Sequence, residues 1–143
     1  MKTQDKKVLN EIYQGCEMGI DALNQIFPKI NDGKLLSELN AHQKDLKELK
    51  EEICQYGSMH NEELEEESVW KEWMLKWMTK WNLLMDGTTS HIAEMLIQGG
   101  DMGVITARKL LNESNTLDKE VEALVKKFIR LEENNNEKMK EYL

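Results

Sequence analysis

The residues most able to do chemistry in this chain are three histidines, two cysteines and 27 carboxylates. Di-iron carboxylate bundles use Glu-x-x-His pairs, because that spacing projects both ligands from one face of a helix. The histidines are His42, His60 and His91, and none of them has a glutamate three residues before it. The sequence therefore lacks the usual signature of a di-iron centre.

A smaller cluster of oxygen and nitrogen ligands is the alternative metal hypothesis. Glu38 and His42 lie one turn apart on a predicted helix, and a hairpin turning near Asp32 places Asp21 of the preceding helix level with them. Asp21, Glu38 and His42 could then form a metal site, although a site with one histidine is weak. We prefer a surface polar group and predict no metal and no cofactor.

Other catalytic signatures are missing from the sequence. Gly99 and Gly100 follow no strand pattern and no Gly-Lys-Ser/Thr motif, so they do not form a phosphate-binding loop. Cys16 and Cys54 have neither Cys-x-x-Cys spacing nor a neighbouring histidine, and we interpret them as buried thiols that form no disulfide. We name no catalytic residue and lean against an enzyme.

Four tryptophans form the most distinctive pattern in the chain. Trp70, Trp73, Trp77 and Trp81 are spaced three, four and four residues apart, which places them on one face of a helix. Each can bury on the order of 200 Å², so we expect the face to be mostly buried. It either closes the core or meets another subunit or partner, and a cofactor box is the least favoured interpretation. The four are our interface candidates.

The elements that position these residues are helices. Apolar residues recur with a period of 3.6 and are interrupted by turn signals, which predicts helices over about 3–30, 34–56, 62–85, 90–113 and 118–142. Asn61 is a plausible N-cap of the third. We therefore predict an all-α, up-down bundle of four to five long amphipathic helices in a single domain, 1–143. The third is either a core helix or a crossover.

Composition narrows the class of function. The formal net charge is −8, which opposes binding to nucleic acid and to anionic membrane surfaces. No apolar run approaches the roughly 18 residues of a membrane helix, and the first residues lack a signal-peptide core. These features favour a cytoplasmic protein with no nucleic-acid or membrane partner.

The C-terminal third carries a resemblance. Residues 95–111, MLIQGGDMGVITARKLL, resemble the first helix of a small bacterial bundle family of unknown function that is ferritin-like and carries a His-His-Gln motif. Residues 118–124 and 131–133 resemble the second helix of that family. The resemblance implies a ferritin-like fold. Gly99 and Gly100 stand where the family places its histidines, so the family's metal chemistry is not implied here.

The glycine pair itself makes a structural prediction. Each glycine inside a helix costs roughly 1 kcal/mol relative to alanine, so the pair indicates close helix–helix approach or a kink. Glu132 and Glu133 are expected to lie level with it on the last helix. The alternative is that the pair ends one helix and begins another, with Asp101 as the new N-cap.

These observations lead to two functional hypotheses. The first is a ferritin-like helical bundle that acts as a non-catalytic interaction or structural module, with a protein partner or as a homo-oligomer such as a homodimer. The second is a metal-binding or oxidoreductase bundle with non-standard ligands.

Overall fold

The computed structural model describes residues 1–64, 70–82 and 87–143. Within these ranges the chain forms five α-helices and no strand, which confirms the predicted all-α class. The helices are α1 (Thr3–Ile26), α2 (Gly33–Met59), α3 (Trp70–Asn82), α4 (Thr89–Glu113) and α5 (Lys119–Met139). Short 3-10 turns follow α1 at Phe27–Lys29 and α5 at Lys140–Tyr142.

The helices pack up and down as predicted. Short connections make α1 and α2 one antiparallel hairpin and α4 and α5 a second, and α5 also packs against α1 and α2. Helix α3 lies along α1 in the same direction, because Trp70 at its start is close to Gly15 and Trp81 near its end is close to Lys29. The described part of α3 is therefore a short helix on the outside of α1.

Side chains cap the helix starts that the turn signals indicated. The carboxylate of Asp32 accepts a hydrogen bond from the Leu35 backbone N–H at 3.0 Å, and the Thr88 hydroxyl accepts one from His91 at 3.3 Å. At the start of α5, the Asp118 backbone N–H donates to the buried carboxylate of Asp5 at 2.9 Å. This long-range bond ties the first turn of α1 to the first turn of α5.

The predicted boundary between the second and third helices was wrong. Asn61 adopts a left-handed backbone with φ of 56°, and the N–H groups of Asn61 and Glu62 donate to the carbonyls of Ser58 and Gly57. This is a Schellman motif, so Asn61 terminates α2 and does not cap α3. Residues 62–64 are not helical. The rest of the predicted start, 65–69, and the predicted end at 83–85 lie outside the described residues.

The first hairpin has a dense apolar core. The apolar face of α2 is buried along its length, and five of its residues are fully inaccessible to solvent: Leu35, Leu39, Leu46, Leu49 and Ile53. Both cysteines are free, as predicted, but only Cys16 is buried and Cys54 is half-buried. No helix in the described ranges is long and apolar enough to span a membrane.

Candidate functional site

Glycines from two helices line one cavity that is partly open to solvent. The cavity has a volume of about 60 Å³ and lies between α1, α4 and α5, beneath α3. Five of the eight glycines in the chain line it, two on α1 and three on α4: Gly15, Gly19, Gly99, Gly100 and Gly103. Since one water needs roughly 10–15 Å³ measured in this way, the space admits several waters or a small molecule. We call it the glycine cavity.

Gly100 marks the closest approach between α4 and α5. Helix α4 continues through the glycine pair, so the alternative in which Asp101 starts a new helix is wrong. A Cβ on Gly100 would overlap the side-chain amide of Asn136, which donates to Asp101 at 2.9 Å. The predicted close approach is therefore confirmed. Its partner is Asn136, one turn beyond Glu132 and Glu133.

Two more of the cavity glycines, Gly15 and Gly99, let aromatic rings reach the helix backbone. A Cβ on Gly15 would lie 3.1 Å from Phe128 and 3.2 Å from Trp70, and one on Gly99 would lie 3.3 Å from Nε1 of Trp77. These distances are tighter than ordinary van der Waals contact, so the rings rest directly on α1 and α4. The cavity is the space that remains between them.

Gly103 is different because it has room. A Cβ there would meet its nearest neighbours, Phe128 and Glu132, at 3.7 and 3.8 Å, which is ordinary contact distance. Neither steric crowding nor a positive φ requires glycine at this position. Its absent side chain enlarges the glycine cavity.

The tryptophan face forms the roof of this cavity. Trp70, Trp77 and Trp81 are buried within the chain and Trp73 is half-buried. Trp70 packs edge-on against Phe128 with ring centroids 6.1 Å apart, and Trp77 stacks on Trp81 at 5.8 Å. The Trp77 indole also donates to the Met95 carbonyl at 3.4 Å. The face closes the core, and most of its indole surface is occupied inside the chain.

Three polar side chains reach the glycine cavity from α2 and α5. His42 and Glu132 are both buried, with 3.6 Å between Nε2 of His42 and Oε1 of Glu132. Asn135 is 6% exposed, and its Oδ1 is buried without a hydrogen-bond partner in residues 1–64, 70–82 and 87–143. A buried acceptor without a donor is uncommon in folded proteins. The cavity therefore joins an apolar, aromatic wall to a small patch of acceptors.

The Glu132 carboxylate also affects the Cys16 thiol on α1. Burial raises the pKa of the Cys16 thiol far above its ordinary value, and the Glu132 carboxylate raises it further. Both effects disfavour the thiolate. Cys16 is therefore a buried core thiol and not a nucleophile.

The weaker metal hypothesis is not supported by the geometry. Asp21 is exposed, Glu38 is partly buried, and His42 faces Glu132 instead. Partial loss of hydration at its carboxylate raises the pKa of Asp21, with a smaller contribution from the nearby Glu17 carboxylate. Across residues 1–64, 70–82 and 87–143, no group of three or more His, Cys, Asp or Glu residues is arranged to hold a metal ion.

Sequence reasoning identified the glycine pair on α4 but missed its counterpart on α1. Gly15 and Gly19 are four residues apart within an otherwise apolar stripe, and this spacing was a readable signal of a small-residue face. Asn135 carried no such signal, since an asparagine in a helix is ordinarily exposed.

A separate groove lies on the surface between α3 and α4. Its floor includes three large apolar side chains that solvent reaches: Leu75 at 61%, Ile105 at 50% and Met102 at 40% exposure. Lys76 and Lys80 line its α3 side, and Asp101 lies on its α4 side. We call this the α3–α4 groove.

Comparisons with protein-family models, with curated proteins and with solved structures find no match to this chain. The structural finding is therefore an all-helical bundle of antiparallel neighbours, without a family assignment.

Proposed function

We propose that the protein is a non-catalytic interaction module that associates with a second copy of itself through the α3–α4 groove. The observation that carries the proposal is the exposure of Leu75, Met102 and Ile105 side by side. Contiguous exposed apolar surface on a folded domain commonly marks an interaction site. Trp73 and Trp77, two of the four tryptophans predicted as interface residues, also line this groove.

The charges around the groove favour a second copy as the occupant. Lys76 and Lys80 lie on one side and Asp101 on the other. In a two-fold symmetric contact each patch meets itself, so the lysines of one copy can face the aspartate of the other. An unrelated acidic partner would satisfy the lysines but would be repelled by Asp101.

Sedimentation velocity over a wide concentration range tests this proposal. We expect a dimer for the unaltered protein and a monomer for Ile105→Glu, because a buried unpaired carboxylate would oppose the contact. Met59→Glu is the matched control, since Met59 is 79% exposed but lies outside the groove. It should remain dimeric. A protein that stays monomeric at every concentration would exclude self-association.

We also propose the finer classification, a ferritin-like bundle that has no catalytic metal. Two antiparallel hairpins joined through α3, with α5 packed on α1 and α2, support it. The competing hypothesis is a metal-binding or oxidoreductase bundle with non-standard ligands. Elemental analysis of protein purified without chelator distinguishes the two, because a stoichiometric transition metal would favour the second.

A further inference from the structure

We infer that the glycine cavity binds a small organic cation of the alkylammonium class, held by Glu132 and Asn135 beneath the tryptophans of α3. This inference is independent of self-association through the α3–α4 groove. It rests on the space that the glycines leave, on unmet hydrogen-bond acceptors and on the charge of the lining.

The volume of the glycine cavity depends on having glycine at position 103. Gly103 would accept a methyl group at ordinary contact distances, and alanine is the better helix former. Packing alone would therefore favour alanine at this position. Glycine is the expected residue if the volume is needed for something that enters the bundle.

The polar side chains of the lining offer hydrogen-bond acceptors, so a ligand that binds there should carry donors. Asn135 Oδ1 is a buried acceptor with no partner among the described residues, and the Glu132 carboxylate is a second acceptor on the same face of α5. The two residues are three apart on the helix, so both can reach one ligand. An ammonium group has up to three N–H donors and would satisfy both acceptors.

The charge of the lining selects a cation. The titratable side chains that line the cavity are Glu132 from α5 and His42 from α2, and no lysine or arginine lines it from any described helix. Anions would therefore meet a carboxylate without a fixed positive charge to balance it. The Glu132 carboxylate also raises the pKa of the Cys16 thiol on α1, which does not line the cavity.

The aromatic walls complete the match. Trp70, Trp73, Trp77 and Phe128 line the rest of the cavity. Aromatic faces attract cations, and tryptophan does so most strongly. They also shelter the short alkyl chain of such a ligand from water. A carboxylate beside several aromatic side chains is the chemistry expected of a site for an organic ammonium ion.

Isothermal titration calorimetry with propylammonium and with 1-propanol tests the inference. The two probes have the same number of non-hydrogen atoms, but only the first is a cation. We expect saturable binding of propylammonium at least about tenfold tighter than that of 1-propanol, since charge-assisted hydrogen bonds are about twice as strong as neutral ones. Equal affinities, or no binding of either probe, would overturn the inference.

Two neighbouring glutamates provide a matched pair of variants. Glu132→Gln keeps the shape of the side chain and removes its charge, so propylammonium binding should weaken about tenfold or more. Glu133→Gln removes a charge from an exposed residue that pairs with Arg108 at 3.6 Å, and binding should be unchanged. Equal loss in both variants would point to the general negative charge of the chain and reject the site.

A glycine pair tests the volume without altering charge. Gly103→Ala should fold, because its Cβ finds ordinary contacts, and it should abolish propylammonium binding by filling the cavity. Gly33→Ala is the control, since nothing lies within 4 Å of its Cβ and it is outside the cavity. Unchanged binding in a folded Gly103→Ala protein would place the ligand elsewhere. This arm holds even if Glu132→Gln does not fold.

Discussion

The two faces of α1 are packed in opposite ways. Toward α2 the helix meets leucine and isoleucine side chains that exclude solvent completely, such as Leu39 and Leu49. Toward α4 and α5 it presents Gly15 to a cavity that also contains buried polar groups, and Gly19 lines the same cavity while packing against Leu46 of α2. One helix thus borders a dense apolar core on one side and a polar cavity on the other.

The residues of the dense face stabilise the fold, whereas those of the cavity face are suited to binding. Apolar side chains packed at the density of a crystal stabilise a fold in proportion to the surface they bury. Glycines, an unpaired amide oxygen and a buried carboxylate each lower stability at the second face. Proteins commonly accept such losses where a ligand or partner is bound. The difference is what we expect if a ligand binds on the α4–α5 side of α1, as proposed above.

The largest effect should come from the dense face. Leu49→Ala removes a fully buried side chain and should destabilise the protein by about 2–5 kcal/mol. Chemical denaturation of the two proteins measures the difference. Leu75→Ala on the exposed groove is the control and should change the free energy of unfolding by less than about 0.5 kcal/mol. Similar losses in both variants would break the comparison.

The close contact of α4 with α5 should give the next largest effect. Gly100→Ala forces its methyl group against the Asn136 amide, and overpacking of this kind costs about 1–3 kcal/mol. Thermal unfolding followed by circular dichroism checks the loss. A stabilised Gly100→Ala protein would mean that α4 and α5 do not approach closely at this point.

Three residues further along α4, replacing glycine by alanine should raise the free energy of unfolding instead of lowering it. Gly103→Ala gains helix propensity without a clash, so we expect stabilisation of up to about 1 kcal/mol in the absence of ligand. The same unfolding experiment detects it. If Gly100→Ala destabilises the protein and Gly103→Ala stabilises it, the two positions differ as a close contact and an open cavity should. If both variants are destabilised, that distinction is lost.

The smallest effect concerns the C-terminal turn, near the start of α2. Burial, together with the neighbouring Glu38 carboxylate, raises the pKa of Tyr142 to about 12 from its ordinary value of 10.0. The fold therefore favours the neutral phenol. Its contribution to stability is fully present below pH 10 and is lost as the pH rises toward 12.

Tyr142→Phe should flatten this alkaline loss of stability. Urea unfolding at pH 9 and pH 11 on both proteins measures it. The two proteins should differ in their pH dependence by a small amount, since Tyr142 retains partial exposure. Identical pH dependence would show that the phenol does not contribute.

The amino-acid sequence determined the elements and much of what they bury. The 3.6-residue period placed α1, α2, α4 and α5 nearly as they fold, and the tryptophan spacing indicated a buried face. The glycine pair indicated close helix approach. These features depend on interactions within one helix or on burial itself, which residue type and spacing express directly.

Only the tertiary structure decided which residues meet. The expected partner of Gly100 differed from Asn136 by three to four residues, which is one helical turn or about 5.4 Å along the axis. A loop of five or six residues leaves the axial shift and rotation of the next helix open by about that amount, so hairpin counting cannot resolve it. For the same reason, the sequence alone does not show that Gly15, Gly19 and Gly103 line one cavity. Nor does it show that His42 lies beside Glu132. Side-chain packing between the helices sets those relations, and with them the glycine cavity.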